Sequence, residues 1–187
     1  MARSPTLETL VLLVVVFVLQ QALSLVGIGL GLFALAAPLA ERPWTLVTAI
    51  YAHAGPVHLV SNLVGLALFG LLVERATTRV RFHGFVLVMG MLAGIAEVLI
   101  GLLWDPVAVI GTSGAVFALM GYLLAGNPVS DAVMGRFRPG RRAQVALVIV
   151  LATAITLLTA SAGVALIAHF TGFSLGLVSG RLHLLRA

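Results

Sequence analysis

Apolar residues run along this chain in long blocks, separated by short stretches of proline, glycine and charged residues. Most blocks have about the 20 residues that a helix needs to cross the hydrocarbon core of a bilayer. Cutting the sequence at the breaks predicts six helices, at about residues 9–36, 57–73, 83–103, 113–125, 143–160 and 163–183. The pattern therefore predicts an all-α membrane protein, with a single six-helix domain over residues 1–187 and no soluble domain.

The fourth predicted helix, residues 113–125, is shorter than the others. A helix of this length rises only about 20 Å, whereas the hydrocarbon core is about 30 Å thick. Its first residue must therefore lie below the membrane surface, and residues 105–112 must dip into the bilayer to reach it. Irregular backbone at that depth is tolerated only inside protein or beside a water-filled cavity. We expect such a cavity, with Ser113 at its floor.

Composition supports a membrane protein and narrows the chemistry. The chain is 61% hydrophobic and 9% charged, whereas a soluble domain carries about 25% charged residues. It contains no cysteine, which excludes disulfides, thiolate nucleophiles and cysteine-based metal sites. The first apolar run is longer than the roughly 7–15 residues of a signal-peptide core, so we interpret it as a spanning helix.

The arginines predict the orientation of the chain in the membrane. The net charge is +5, carried by arginine, and under six-helix alternation only Arg42 falls on one side. The opposite side carries Arg3, Arg75, Arg79, Arg81, Arg136, Arg138, Arg141, Arg142, Arg181 and Arg186. Because positive residues concentrate on the cytoplasmic side, we expect a multi-pass cell-membrane protein with both termini in the cytoplasm. This distribution is a topology signal and argues against a nucleic-acid partner.

Ser113 begins the fourth predicted helix, within the motif Gly111-Thr-Ser113-Gly114. The free N–H groups and the dipole at a helix N-terminus favour negative charge, so an oxyanion formed by attack of Ser113 would lie beside hydrogen-bond donors. Gly111 and Gly114 allow a tight turn and close approach of the backbone. The alternative interpretation is an ordinary capping serine, because the motif alone is weak.

His169 lies about six residues into the last predicted helix, on one stripe with Gly172 and Gly176. An ionisable residue inside a membrane is a candidate for function. A neutral imidazole could accept the proton of Ser113 and return it to a leaving amine. The glycine stripe allows close helix packing, and packing against the fourth helix would bring the two residues together. The alternative is a packing stripe with an incidental histidine.

His58 and Asn62 are four residues apart and share one face of the second predicted helix. Two such donors could complete an oxyanion hole. One alternative is metal ligation by His53 and His58, but their spacing does not match His-Glu-x-x-His. For Asn62 the alternative is a structural polar role in the core. We therefore expect neither a metal nor another cofactor.

Glu97 is the only carboxylate well inside a predicted helix. It could orient a histidine and complete a triad, or it could pair with a polar neighbour. We favour the structural role, because the residue lies in the outer half of its helix and can meet water from the cavity.

Three motifs in this chain resemble those of the rhomboid intramembrane serine proteases, in their minimal six-helix prokaryotic form. The resemblance runs from about Trp44 to the C-terminus. The motifs are His53-x4-His58-x3-Asn62, then Gly111-Thr-Ser113-Gly114 followed by Ala118-Leu-Met-Gly121-Tyr122, and finally Ala168-His169-x2-Gly172-x3-Gly176.

The resemblance implies a function for these residues. It implies a catalytic dyad of Ser113 and His169, with the oxyanion stabilised by His58, Asn62 and the backbone N–H of Ser113. It implies a serine endopeptidase that cuts transmembrane segments of membrane proteins near their outer ends through an acyl-enzyme. The partners would be those substrates, the surrounding lipid, and water in a cavity that opens toward the extracytoplasmic side.

Several features depart from the family pattern, among them Thr78, which stands where the pattern Gly70-x3-Glu74-x3-Gly would have its last glycine. Trp44 is followed by Thr45, where family members often carry arginine. The first loop, Pro38 to Pro43, is predicted to be only a few residues long, although it is usually a long element beside the cavity. Phe117 stands where a tyrosine often packs under the catalytic histidine.

Two other classes of function compete with a protease. The first is a catalytically silent rhomboid-like protein that binds transmembrane helices; such proteins typically lack the serine or the histidine, and this chain has both. The second is a small transporter. The sequence has no evident internal repeat and only one acid in a helix interior, which argues against a transporter.

Overall fold

The computed structural model describes residues 4–27, 29–137, 139–160 and 164–187. Within them the ordered elements are α-helices and two short 3-10 turns, at Leu30–Leu32 and Glu74–Ala76. The helices are α1 (Pro5–Leu25), α2 (Thr45–Tyr51), α3 (Pro56–Val73), α4 (Arg79–Gly101), α5 (Ser113–Ala125), α6 (Pro128–Phe137), α7 (Arg141–Leu158) and α8 (Leu166–Arg181).

Four of these elements are long and apolar enough to cross a membrane: α1, α3 with the turn that follows it, α4 and α7. The short helices α5 and α6 form a pair bent by 57°, which would count as a fifth span if taken together. Helix α8 has 16 residues. The chain is therefore an all-helical membrane bundle, and the count of six spans stays a prediction.

After α1, the observed helices lie close to the segments that the sequence predicts. Helix α3 starts one residue before the predicted segment 57–73, and α5 occupies the predicted segment 113–125. Residue 163, the predicted start of the last helix, lies outside the described residues, as do Arg3 and Arg138. Two short helices, α2 and α6, were not predicted.

The predicted first helix is too long, and the predicted first loop is too short. Helix α1 ends at Leu25 rather than near residue 36, so residues 26–55 connect α1 to α3. Glycines at 27, 29 and 31 break the helix, since each costs about 1 kcal/mol in a helix interior, and Gly27 adopts a φ of +81°. Of the apolar residues that follow, Phe33, Ala34 and Leu35 are buried, whereas Leu30 and Leu32 are exposed.

The first loop, predicted as Pro38 to Pro43, therefore extends from Val26 to Trp44. Hydrogen bonds to its own backbone hold it. The Arg42 guanidinium donates to the carbonyl of Gly31, and the Trp44 indole N–H donates to the carbonyl of Leu32 at 3.0 Å. The Thr45 hydroxyl, where the family often has arginine, donates to the carbonyl of Arg42 at 2.6 Å. These bonds satisfy carbonyl groups that a helix would otherwise have paired.

The first loop also pairs with the segment that precedes α5. Leu35 and Val109 exchange two backbone hydrogen bonds, of 2.9 and 2.8 Å. Phe33 and Leu35 are buried. The loop is therefore part of the packed wall of the protein, and the prediction that it is nearly missing is wrong.

Helix α6 begins at Pro128, three residues after the end of α5. Proline is well placed in the first turn of a helix, where its missing N–H is not needed. Asn127 caps the new helix, because its side-chain oxygen accepts from the backbone N–H of Ser130 at 3.0 Å. Pro128 therefore starts α6 as well as ending α5.

One end of the bundle, called the ionic end below, is closed by polar contacts between helix termini. The contacts are Ser4 with Glu74 (2.7 Å), Arg79 with Glu8 (2.7 Å), Arg181 with Asp131 (2.9 Å) and the backbone N–H of Ala187 with the carbonyl of Ala76 (3.1 Å). Helices α1 and α4 therefore begin at the ionic end, whereas α3 and α8 finish there.

Helices α5 and α8 run parallel, and glycines bring their backbones into contact along most of their length. A Cβ placed on Gly172 would lie 2.1 Å from the carbonyl oxygen of Gly114. A Cβ on Gly176 would lie 2.2 Å from the carbonyl oxygen of Ala118, and a Cβ on Gly180 would lie 2.5 Å from the carbonyl oxygen of Tyr122. We call this contact the glycine seam. It places Ser113, the first residue of α5, away from the ionic end.

Replacing a glycine of the seam is expected to push the two helices apart. In Gly176→Ala the new methyl group would overlap the α5 backbone, which cannot rotate away, so we expect a loss of about 1–3 kcal/mol. The measurement is thermal unfolding of the purified protein in detergent. Gly84→Ala in α4 is the matched control, because nothing lies within 4 Å of its Cβ position. Equal unfolding temperatures for the two variants would contradict the close contact between α5 and α8 at Gly176.

Candidate active site

Ser113 is held by the turn that precedes it, and that turn is bonded to the end of α2. The backbone N–H of Gly111 donates to the carbonyl of Ala49 at 2.7 Å. The hydroxyl of Thr112, which is fully buried, donates to the carbonyl of Ile50 at 2.5 Å. These two bonds fix the height and direction at which α5 begins, and therefore fix Ser113.

Gly111 allows His58 to lie against this turn. A Cβ on Gly111 would come within 2.6 Å of Cε1 and 2.8 Å of Nε2 of the His58 ring. The φ of Gly111 is +121°, a conformation that side chains with a Cβ rarely adopt. The His58 ring therefore contacts the chain two residues before Ser113, at the N-terminus of α5.

His169 lies beside the first turns of α5. Its ring stacks on Phe117, with centroids 4.0 Å apart and an interplanar angle of 20°. Phe117 is one helical turn after Ser113 and so lies on the same face of α5. One turn after His169, Gly172 contacts the backbone of Gly114. The approach of His169 to Ser113 is thus defined by Phe117 and the glycine seam, and not by a direct hydrogen bond between the two side chains.

Asn62 is level with Ser113 across the contact between α3 and α5. A Cβ on Gly65 would lie 2.7 Å from Cγ1 of Val116. Asn62 and Ser113 each precede this contact by three residues, on helices that run in the same direction. The Asn62 amide donates to the carbonyl of His58 at 2.9 Å, which leaves its second N–H available.

Comparison with known proteins identifies the family of this chain. The Rhomboid domain family matches residues 40–186. The chain belongs to the rhomboid family. Membership supports a fold of the intramembrane-protease type, and the family acts on membrane-protein substrates. Helix α1 and most of the first loop precede the matched region.

Curated relatives of this rhomboid chain come from plants and animals. RHOMBOID-like protein 6, mitochondrial, of Arabidopsis thaliana is 34% identical over 85 residues, which is 46% of this chain and 27% of that protein. Rhomboid-related protein 2 of Mus musculus is 35% identical over 82 residues, 43% of this chain and 26% of that protein. RHOMBOID-like protein 4 of Arabidopsis thaliana is 29% identical over 147 residues, which is 78% of this chain and 35% of that protein. These alignments span about a third or less of each relative.

Glu97 of this rhomboid chain stabilises the start of α8. Its carboxylate is buried and accepts a hydrogen bond of 2.7 Å from the backbone N–H of Ala168, the residue before His169. The N–H groups in the first turn of a helix have no partner within the helix, and a negative charge is favourable there. The contact agrees with the structural role favoured above, because Glu97 bonds to backbone rather than to a histidine.

A small cavity borders Ser113 on the side of α2 and α4. Its volume is about 10 Å³, near the minimum that admits one water molecule. Leu35 of the first loop and Leu46 of α2 line it, together with Ser113 and Gly111. The first loop therefore forms part of the wall beside Ser113.

His53 lies beside His58, the residue with which metal ligation was considered as an alternative. The two rings meet edge to face with centroids 5.1 Å apart. Among the described residues, no group of three His, Cys, Asp or Glu side chains is placed to hold a metal ion. Both ring nitrogens of His53 are buried, and neither has a hydrogen-bond partner within the described residues.

Gln20 is a residue of the site that the sequence analysis missed. It lies in α1 and bonds to the backbone of His53 through both ends of its amide. The available signal was a polar side chain in an otherwise apolar helix, which in a membrane faces the bundle interior or another polar group. That signal was ambiguous, because Gln21 follows it directly.

Glu97 is expected to stabilise α8 through its hydrogen bond to Ala168. In Glu97→Leu the buried N–H of Ala168 loses its acceptor, which costs about 1–3 kcal/mol. In Glu97→Gln the amide oxygen can still accept, so the loss should be smaller. Thermal unfolding of both variants in the same detergent checks this. A leucine variant as stable as the glutamine variant would contradict the role assigned to Glu97.

Proposed function

We propose that this chain is an intramembrane serine endopeptidase that uses Ser113 and His169 as a catalytic dyad. The observation that carries the proposal is the stacking of His169 on Phe117, one helical turn from Ser113 on the same face of α5. Family membership supports it, because the rhomboid family includes serine proteases. The proposed substrate is a transmembrane segment of another membrane protein.

The proposed reaction proceeds through an acyl-enzyme. The hydroxyl oxygen of Ser113 attacks the carbonyl carbon of the scissile peptide bond, and His169 accepts the hydroxyl proton. The tetrahedral intermediate collapses, the C–N bond breaks, and His169 returns the proton to the leaving amine. Water then attacks the ester carbonyl carbon, with His169 again accepting a proton. Return of that proton to Ser113 releases the carboxyl product.

Three groups could stabilise the oxyanion in the proposed reaction. The backbone N–H of Ser113 lies in the first turn of α5, where the helix dipole also favours negative charge. Asn62 has a second amide N–H beyond the one that bonds to His58, and it is level with Ser113. The His58 ring lies against Gly111. We propose these three as the donors of an oxyanion hole.

The proposed orientation puts the ionic end in the cytoplasm. That end carries Arg79, Arg181 and Arg186, and positive residues favour the cytoplasmic side of a membrane. Both termini would then be cytoplasmic, and Ser113 would open toward the extracytoplasmic side. A substrate would be cut in the outer part of its transmembrane segment, where water from the cavity can reach the bond.

Loss of either member of the dyad is expected to abolish turnover. We expect Ser113→Ala and His169→Ala to cleave no detectable transmembrane substrate in liposomes, and Ser113→Ala to lose labelling by a serine-directed fluorophosphonate. Ser61→Ala is the matched control, because Ser61 is exposed on α3 and its hydroxyl bonds only to its own helix. A wild-type protein that binds a transmembrane segment without cutting it or labelling would favour the silent rhomboid-like alternative.

Removing one oxyanion donor is expected to slow the reaction without stopping it. Loss of a single donor typically costs about 10²–10³ in kcat, so we expect that loss in Asn62→Ala with KM nearly unchanged. Steady-state kinetics on a cleavable transmembrane substrate, with unfolding temperatures measured in parallel, checks this. A folded variant with the wild-type kcat would make Asn62 a structural residue.

A further inference from the structure

Gln20 of α1 makes a two-point contact with the peptide backbone of His53. Its side-chain nitrogen donates to the carbonyl of His53 at 2.7 Å, and its side-chain oxygen accepts from the backbone N–H of His53 at 3.1 Å. Gln20 is 3% exposed and His53 is 0% exposed. The contact therefore satisfies both backbone groups of a fully buried loop residue, in a place where water cannot substitute.

This contact determines where the His53 ring lies. Neither ring nitrogen of His53 has a hydrogen-bond partner within the described residues, so the ring is placed by its own backbone and by packing. An unpaired backbone N–H or C=O in an apolar interior is costly. Without Gln20, the loop at His53 would have to move to find new partners.

The His53 ring is the first of a series of contacts that ends at Gly111, in the turn before Ser113. It meets the ring of His58 edge to face, with centroids 5.1 Å apart. The His58 ring in turn lies against Gly111, two residues before Ser113. A shift of the His53 backbone would therefore be passed to a proposed oxyanion donor and to the turn that carries the nucleophile.

We propose that Gln20 is a positioning residue for the reaction, acting through His53 and His58 on the oxyanion side of Ser113. The inference rests on the proposed protease function. It gives α1 a role in activity, although α1 lies outside residues 40–186, the region that matches the rhomboid family. Gln20 does not touch the reacting atoms and is not assigned a chemical step.

The chain offers matched controls for a test. Gln21 is the same residue one position further along α1, and it is exposed. Leu13 is fully buried in the same helix and packs in the core. Gln21→Leu therefore controls for the chemical change, and Leu13→Ala controls for loss of stability in α1. In Gln20→Glu a neutral carboxyl group keeps the length of the side chain, one donor and one acceptor.

The experiment compares Gln20→Leu with Gln20→Glu, Gln21→Leu and Leu13→Ala. For each variant it measures the rate of fluorophosphonate labelling of Ser113, steady-state cleavage kinetics and the unfolding temperature. We expect Gln20→Leu to lower the labelling rate and kcat by about 10–100-fold, as misplacement of a site by around 1 Å can do. KM should stay near its wild-type value, because Gln20 does not meet the substrate. Gln20→Glu should recover most of the rate, and both controls should label at close to the wild-type rate.

Two results would overturn the inference while the proposed function stands. The first is an active wild type in which Gln20→Leu loses no more labelling rate than Leu13→Ala, which would make Gln20 a structural residue only. The second is unchanged amide hydrogen exchange of residues 52–58 in Gln20→Leu compared with Gln21→Leu, which would show that the contact does not order the loop. A wild type that neither labels nor cleaves would instead overturn the proposed function, and the role of Gln20 in the reaction with it.

Discussion

Backbone-to-backbone contact between α5 and α8 is the interaction on which the rest of this site depends. Two helices in lipid are not driven together by the hydrophobic effect, so close packing has to supply the attraction. Gly172 and Gly176 remove the side chains that would separate the two backbones. The seam thereby sets how closely the helix that carries Ser113 approaches the helix that carries His169.

A second constraint acts on the segments that are not helical. Backbone groups inside an apolar surrounding need partners, and here side chains from other elements supply several of them. Thr112 bonds to the end of α2, Glu97 to the start of α8, and Gln20 to the loop before α3. Each of these bonds fixes a helix terminus that carries, or lies beside, a residue of the candidate site.

The sequence predicted those parts of the structure whose signals are local. The bounds of α5 follow from the turn residues on either side of it, and the glycine stripe of α8 is visible as a four-residue spacing. The prediction for the first loop failed because hydropathy reports apolar surroundings and not helical conformation, so residues 26–36 were assigned to the first helix. The contact between Gln20 and His53 joins residues 33 positions apart, and no periodicity encodes such a pairing.

The glycine seam also decides which parts of the bundle can move. Two backbones in direct contact have no intervening layer of rotatable side chains, so a relative slide of α5 and α8 would require carbonyl groups to pass one another. Any opening wide enough for a polypeptide must therefore come from helices that are held more loosely. Helix α7 is the least enclosed of the candidate spans: 11% of its apolar 18-residue stretch is buried, compared with 44% for α4. The rigid contact between α5 and α8 and the loosest packing among the candidate spans thus belong to different helices.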